Sequence, residues 1–353
     1  MNLEEIARLS HKSRSTVSRV INNDPHVSDE TRTQVMDVVR RLNFHPNAAA
    51  RSLAAGRTRV LGLVIPTGVS SLFTDPYFPL LVQGVATACN AHDHSVMLWL
   101  AEPEYERRTI GKVMHAGLID GVILASVLTG DPLLQALTEG DLPFVLVGRQ
   151  PGNDRLNFVD VDNINSAREA VMHLLRQGRR RVATITGLLN TTVGIDRRDG
   201  YLAALRQRSL PSNPELIIES DFTEAGGYAA MQRLLPCHPD AVFVASDMMA
   251  MGALRALREA GRRVPQDVAV VGFDDMPFAE RADPPLSTMR QPVQRTGVVA
   301  AETLMDLIDN PEAQPRRILM PTELIIRDSC GSRAGTYGPP LQSDPTAPPT
   351  ARR

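Results

Sequence analysis

The chain has 353 residues, 43% hydrophobic and 22% charged, enough for two or three domains with cores of their own. Its 38 basic and 40 acidic side chains nearly cancel, so net charge does not announce a polyanionic partner, and no apolar run approaches the roughly 20 residues that span a bilayer. The opening MNLEEIARLS is acidic and amphipathic, unlike a secretory leader; Cys89, Cys237 and Cys330 are scattered with no CxxC, which argues against a disulfide framework or a zinc site and suits a reducing cytoplasm.

Charge is unevenly spread. Residues 1–57 hold nine basic and six acidic side chains, whereas the rest holds 29 and 34. A basic head on an acidic body is a layout of DNA-binding modules joined to ligand-binding ones, although a solvated basic face gives the same numbers.

The head reads as three short helices. Asn2 and Glu5 fit a capping box for the first, with Ile6 and Leu9 on its apolar side. Ser13 fits as the N-cap of the second, RSTVSRVIN, in which Val17, Val20 and Ile21 face inward and Arg14, Ser15, Ser18, Arg19 and Asn22 face out. That outer face has no acid and offers guanidinium and hydroxyl donors, which suit base edges and phosphates in a major groove. Asn22-Asn23-Asp24-Pro25 breaks the chain, and Ser28 caps a third helix with Val35, Val38, Val39 and Leu42 inward. After Phe44-His45-Pro46, Asn47 and Gly56 bracket a two-turn helix, too short to be stable without packing; its larger side chains are Arg51 and Leu53. Leu53 reads either as ordinary core or as a wedge for a base step.

From Ile6 to Pro66 the sequence resembles the head of LacI/GalR-type bacterial transcription regulators: STVSRVIN, VSDETR, HPNAAARSL and the following strand match in order and spacing. The resemblance implies that Arg14, Ser15 and Arg19 read bases and that Ser13, Thr16, Ser18, Asn22, His26 and Thr31 touch or organise the phosphate backbone. It further implies that Asn47–Ala54, with Asn47, Arg51 and Leu53, is a DNA-contacting hinge helix whose leucine opens the central base step. The chain departs from the family's Ala-Gly-Val-Ser first turn, carrying Ser10-His11-Lys12-Ser13. His tolerates the positive φ that glycine supplies there, and Lys12 is expected to point toward phosphate.

Beyond Arg59, continuous apolar runs at 60–65, 95–100, 121–125, 144–148, 182–186, 241–245 and 268–273 alternate with helical stretches at 78–92, 105–116, 163–177, 197–208, 224–235, 247–260 and 293–309. Runs without polar alternation are parallel strands buried on both faces, and the βα period marks doubly wound domains. This body resembles periplasmic sugar-binding proteins, relatives of the family's effector core. The expected fold is an N-terminal all-α helix-turn-helix headpiece (1–45), a hinge helix and linker (46–57) and an α/β periplasmic-binding-protein-like core (58–330). The core comprises two doubly wound subdomains, roughly 58–161 and 162–290 with later crossovers, and a disordered tail follows (331–353).

Ligands of open α/β sheets sit beyond the carboxyl ends of the strands. Ser126, Arg149, Asp247 and Asp274 follow such runs, Arg197 opens RRDGY and Gln291 follows LSTMR; Asp and Arg suit vicinal hydroxyls and Phe222 suits an apolar sugar face. The resemblance places effector contacts on all seven. Read without it, Asp247 at a helix start is an N-cap. The loop Thr67–Asp75 is longer than the family's, with Asp75 where Asn is common.

Together these readings predict a cytoplasmic repressor, a homodimer for want of a C-terminal leucine heptad, bound to a pseudo-palindromic operator DNA duplex. A small-molecule effector, a sugar or sugar derivative, controls it, with no membrane partner, cofactor or metal. Two alternatives are weighed. A sugar-modifying enzyme lacks any GxxxxGK[ST], GxGxxG, GxSxG or HExxH motif, and adjacent Asp274 and Asp275 on a strand end point apart. A plain sugar-binding protein leaves the head unexplained.

Overall fold

The computed structural model describes residues 3–21, 24–44, 57–65, 74–100, 117–125 and 128–332. Asn2, Asn22, the expected hinge helix with Asn47, Arg51 and Leu53, the expected helix at 105–116, most of the long loop, Ser126 and the tail beyond Ser332 lie outside the described residues. The chain divides after Arg59 into a head and a body.

The head contains α1 (Leu3–Leu9), α2 (Arg14–Ile21) and α3 (Asp29–Arg41). Ile6, Ala7, Val17, Val20, Val35 and Val38 form its core, with Leu9, Ile21, Val39 and Leu42 partly buried around it. Both expected caps are formed. Ser13 Oγ accepts from the Thr16 N–H at 3.1 Å and Ser28 Oγ from the Thr31 N–H at 3.4 Å, which satisfies donors that a helix start leaves open. His11 stands at φ +53° in the first turn, so the imidazole residue adopts the left-handed conformation that glycine would supply.

In the body the strands are, in chain order, β1 (Val60–Ile65), β2 (Ser95–Leu100), β3 (Gly121–Ala125), β4 (Phe144–Val147), β5 (Phe158–Val161), β6 (Val182–Thr186), β7 (Ile217–Glu219), β8 (Ala241–Val244), β9 (Ala269–Asp274), β10 (Ser287–Arg290), β11 (Arg317–Met320) and β12 (Glu323–Ile325). One sheet runs β2-β1-β3-β4-β5-β11, the other β7-β6-β8-β9-β10-β12, so the same 2-1-3-4-5 winding occurs twice with one late strand added to each. Every pairing is parallel except β10 with β12.

Between the strands lie α4 (Tyr77–Ala91), α5 (Pro132–Glu139), α6 (Asn163–Arg176), α7 (Thr192–Gln207), α8 (Glu224–Leu234), α9 (Asp247–Glu259) and α10 (Val293–Asp309). The apolar runs predict β1, β2, β3, β4, β6, β8 and β9 to within a residue, but not the interior strands β5 and β10, which are only four residues long and carry polar side chains. Edge strands β7, β11 and β12 are too short and too polar for that signal, and α5 was not anticipated. Helix α7 begins at Thr192, five residues before the expected start at Arg197. Gly194 disguises that first turn, and it is there because an added Cβ would run into the Leu188 carbonyl.

The chain passes between the two lobes three times among the described residues: from β5 into α6, from β10 into α10, which packs in the first lobe's core, and from β11 to β12. Polar side chains sit at these passages. Asn163 lies at the first and Gln291 at the second, and Thr322 at the third meets Ser166 Oγ at 2.7 Å.

Candidate functional site

Helix α2 buries Val17 and Val20 and exposes Arg14, Ser15 and Arg19, with Ser18 half-buried; it contains no acid. Ser13 Oγ lies 2.8 Å from both Ser15 Oγ and Thr16 Oγ1, so a cluster of hydroxyls opens the helix. Arg14 and Arg19 approach Glu4 and Asp24 only to 3.9 Å across exposed surface. Such pairs contribute little and yield readily to a stronger acceptor. His26 is exposed, its Nδ1 3.1 Å from Asp24 Oδ1, while Thr31 is engaged in the α3 cap through its N–H and its hydroxyl. A helix presenting guanidinium and hydroxyl groups on a carboxylate-free face has the chemistry to enter a major groove.

The body holds a cavity of about 1120 Å³ at the carboxyl ends of both sheets, walled by residues of both lobes. Its floor is built on Arg197, which is 4% exposed. The guanidinium donates to Asn163 Oδ1 at 2.9 Å and to the Ala245 carbonyl at 2.6 Å, lies 3.4 Å from Asp274 Oδ1 and stacks 3.6 Å over the Phe273 ring. Gln291 Nε2 donates to the same Asp274 oxygen at 2.5 Å. Arg149, at the end of β4, lies 3.4 Å from Asp160 of its own lobe and donates to Asp196 of the other. Asp160 in turn accepts from the Val161 N–H and from Asn163 Nδ2.

Burial dominates the acid–base chemistry here. It pushes the Asp274 carboxyl up to about 7 although Arg197 opposes the shift, and the Asp160 carboxyl up to about 6 against the Val161 N–H and Arg149. Asp75 and Asp196 are raised for the same leading reason, and so is the Tyr77 hydroxyl.

Backbone strain collects at the site. Asp274 has φ +116°, Asp275 φ +57° and Phe222 φ +65°, conformations that a side chain adopts only where the surroundings impose them. The two aspartates diverge as expected, Asp274 into the cavity and Asp275 to Arg290 and Arg327. Gly187 carries no side chain because a Cβ would fall inside the Phe222 ring, which holds that ring at the cavity wall.

Of the seven expected contacts, Arg149, Arg197, Phe222, Asp274 and Gln291 line this one cavity. Asp247 does not. It is fully buried behind the wall, taking a hydrogen bond from Thr288 Oγ1 at 2.6 Å and another from the Met276 N–H at 2.8 Å. Nor does Asp247 cap its helix: Ser246 Oγ accepts from the Met249 N–H, so the polar residue just before it takes that role. Asp160, Asn163 and Asp196 went unrecognised in the sequence. A lone carboxylate inside the apolar strand FVDV is the signal that could have found Asp160. Among the described residues, no group of His, Cys, Asp and Glu is arranged to hold a metal ion, and no helix is long and apolar enough to cross a membrane.

Two family models match the chain: bacterial regulatory proteins of the lacI family over residues 2–47, and the periplasmic binding protein-like domain over residues 171–330. The transcriptional regulator CelR of Thermobifida fusca is 39% identical over 331 residues, 93% of this chain and 97% of that protein. The chain belongs to the LacI family. As a LacI-family member it is a helix-turn-helix transcriptional regulator, its head the DNA-binding part and its body the periplasmic-binding-protein-like core. Solved LacI-family structures agree over nearly the whole length. A CelR–cellobiose complex matches with a TM-score of 0.75 at 38% identity, covering 93% of this chain and 99% of that one. A lac repressor dimer bound to operator and an anti-inducer matches with a TM-score of 0.83 at 25% identity, covering 94% and 99%.

Proposed function

We propose that this LacI-family regulator is a cytoplasmic homodimeric repressor that binds a pseudo-palindromic operator through α2 and is controlled by a saccharide held in the body cavity. The observation that carries the effector half is the wall itself. A buried guanidinium, convergent carboxylates and an aromatic ring surround about 1120 Å³, more than one sugar ring requires. The relative solved with cellobiose, and the lac repressor solved as a dimer on operator, support the two partner classes. Arg14, Ser15 and Arg19 read base edges, while Ser13, Thr16, Ser18, Asn22, His26 and Thr31 set the helix on phosphate. The hinge segment with Asn47, Arg51 and Leu53 contacts the duplex.

A ligand that bridges the lobes favours one lobe geometry, and operator affinity follows that equilibrium. A preference of about 3 kcal/mol for the non-binding geometry weakens operator affinity more than a hundredfold. Catalysis has no part in this reading, since Asp274 and Asp275 serve separate arginines.

The test is fluorescence anisotropy of purified protein on its own upstream DNA against random competitor at two salt concentrations, with and without a panel of mono- and disaccharides. Selective binding that one saccharide shifts at least tenfold is expected. Binding indifferent to DNA sequence refutes the operator half, and a panel without effect refutes the effector half.

A further inference from the structure

Charge in the cavity wall is lopsided. Among the described residues the wall carries six carboxylates, on Asp75, Asp160, Asp196, Asp221, Glu224 and Asp274, against two guanidiniums. Both guanidiniums are engaged. Arg197 is buried between Asn163, the Ala245 carbonyl, Asp274 and the Phe273 ring. Arg149 is the more accessible, its side chain a quarter exposed, yet its Nε faces Asp160 and a terminal nitrogen donates to Asp196. A guanidinium grips a carboxylate or phosphate through a pair of parallel N–H donors, and on Arg149 that fork already holds carboxylate on two sides. An incoming anion therefore finds no unneutralised cation among these groups and must lie beside like charge. A hydroxyl finds strong acceptors.

We infer that Asp196 is a specificity determinant: by neutralising Arg149 across the cleft it makes the cavity accept uncharged saccharides and reject uronates and sugar phosphates. The inference rests on the effector reading and narrows it. Asp196 is singled out because it reaches Arg149 from the opposite lobe. Asp160, by contrast, shares a lobe with Arg149 and is also held by the Val161 N–H and Asn163. The position of Asp196 beside Arg197 on α7 places the neutralising carboxylate one residue from the floor of the cavity.

The test uses the full-length protein and calorimetric titration with glucose, galactose, cellobiose and maltose, each paired with its C6 uronate and 6-phosphate. The tightest neutral sugar is expected to bind at least about a hundredfold better than its own acid. In Asp196→Asn, which keeps the shape and removes the charge, that ratio should narrow by roughly tenfold as Arg149 becomes available. In an Arg149→Met background the same Asp196→Asn change should leave the ratio where it was, an outcome that lost packing alone does not produce. A wild-type protein that binds an acid as tightly as its neutral parent overturns the inference but leaves effector control standing. So does an Asp196→Asn ratio equal to that of the wild type. Indifference to the entire panel removes the effector reading and this inference together, and a wild-type ratio near one still overturns the inference even if Asp196→Asn fails to fold.

Discussion

Arg197→Ala is the most informative single change, because this buried side chain ties the cavity floor together. Truncation removes the donors to Asn163 Oδ1 and the Ala245 carbonyl, the stack on Phe273, and the cation 3.4 Å from Asp274. Asp274 is then a buried carboxylate with only Gln291 to answer it. Removing one member of a buried ion pair costs about 3–5 kcal/mol, chiefly through the charge left behind. For a domain of this size that is a fall in melting temperature on the order of 10 °C at pH 8. The loss should shrink at pH 5.5, where Asp274, already pushed up to about 7 by burial, takes a proton and the uncompensated charge disappears. Adding Asp274→Asn to Arg197→Ala should recover a substantial part of the lost stability, a coupling of about 2 kcal/mol or more. Differential scanning calorimetry of the wild type, both single variants and the double variant at the two pH values completes the cycle. A double variant no more stable than Arg197→Ala alone would mean that the pair is not coupled, and the account of the cavity floor would be wrong.

Three further outcomes are expected. Asp160 and Asp274 are both raised above the unfolded carboxylate value, so the native state holds their protons longer. That stability is present at low pH and is lost as pH rises through about 6 and 7. Asp274→Asn should therefore flatten the decline in melting temperature between pH 5 and pH 8, and an unaltered slope counts against the buried carboxylate as its source. Arg19→Ala should weaken operator binding by about 1–3 kcal/mol and relax preference at one base pair per half-site, read by competition with single-site operator variants; an unchanged base profile contradicts its reading role. Gly187→Ala should displace the Phe222 ring, lowering saccharide affinity about tenfold and stability by about 1–3 kcal/mol while operator binding in the absence of ligand is kept. Retained saccharide affinity would show that the ring is not a sugar platform.

The parts legible from sequence were those in which local chemistry decides the outcome. Ser13 and Ser28 cap because their hydroxyls sit just ahead of apolar-periodic helices, and His11 takes the left-handed turn because the connection demands it. Parallel strands place their following residues at one end of a sheet, which is why looking just past each run located Arg149 and Asp274. What stayed hidden depends on direction within a short segment. Ser246 and Asp247 are neighbours, but one caps the helix while the other is turned to Thr288 and Met276, and spacing alone does not tell them apart. Asp160 interrupts a four-residue strand, and its value comes from Arg149 and Asn163, which approach it only in three dimensions.

Two of the three passages between the lobes share residues with the cavity floor. Asn163, at the first passage, receives the Arg197 donor, and Gln291, at the second, grips Asp274. The connections and the floor are thus tied through the same side chains. Whatever occupies the cavity floor therefore sits one hydrogen bond from the chain segments that join the lobes, with no intervening layer of core.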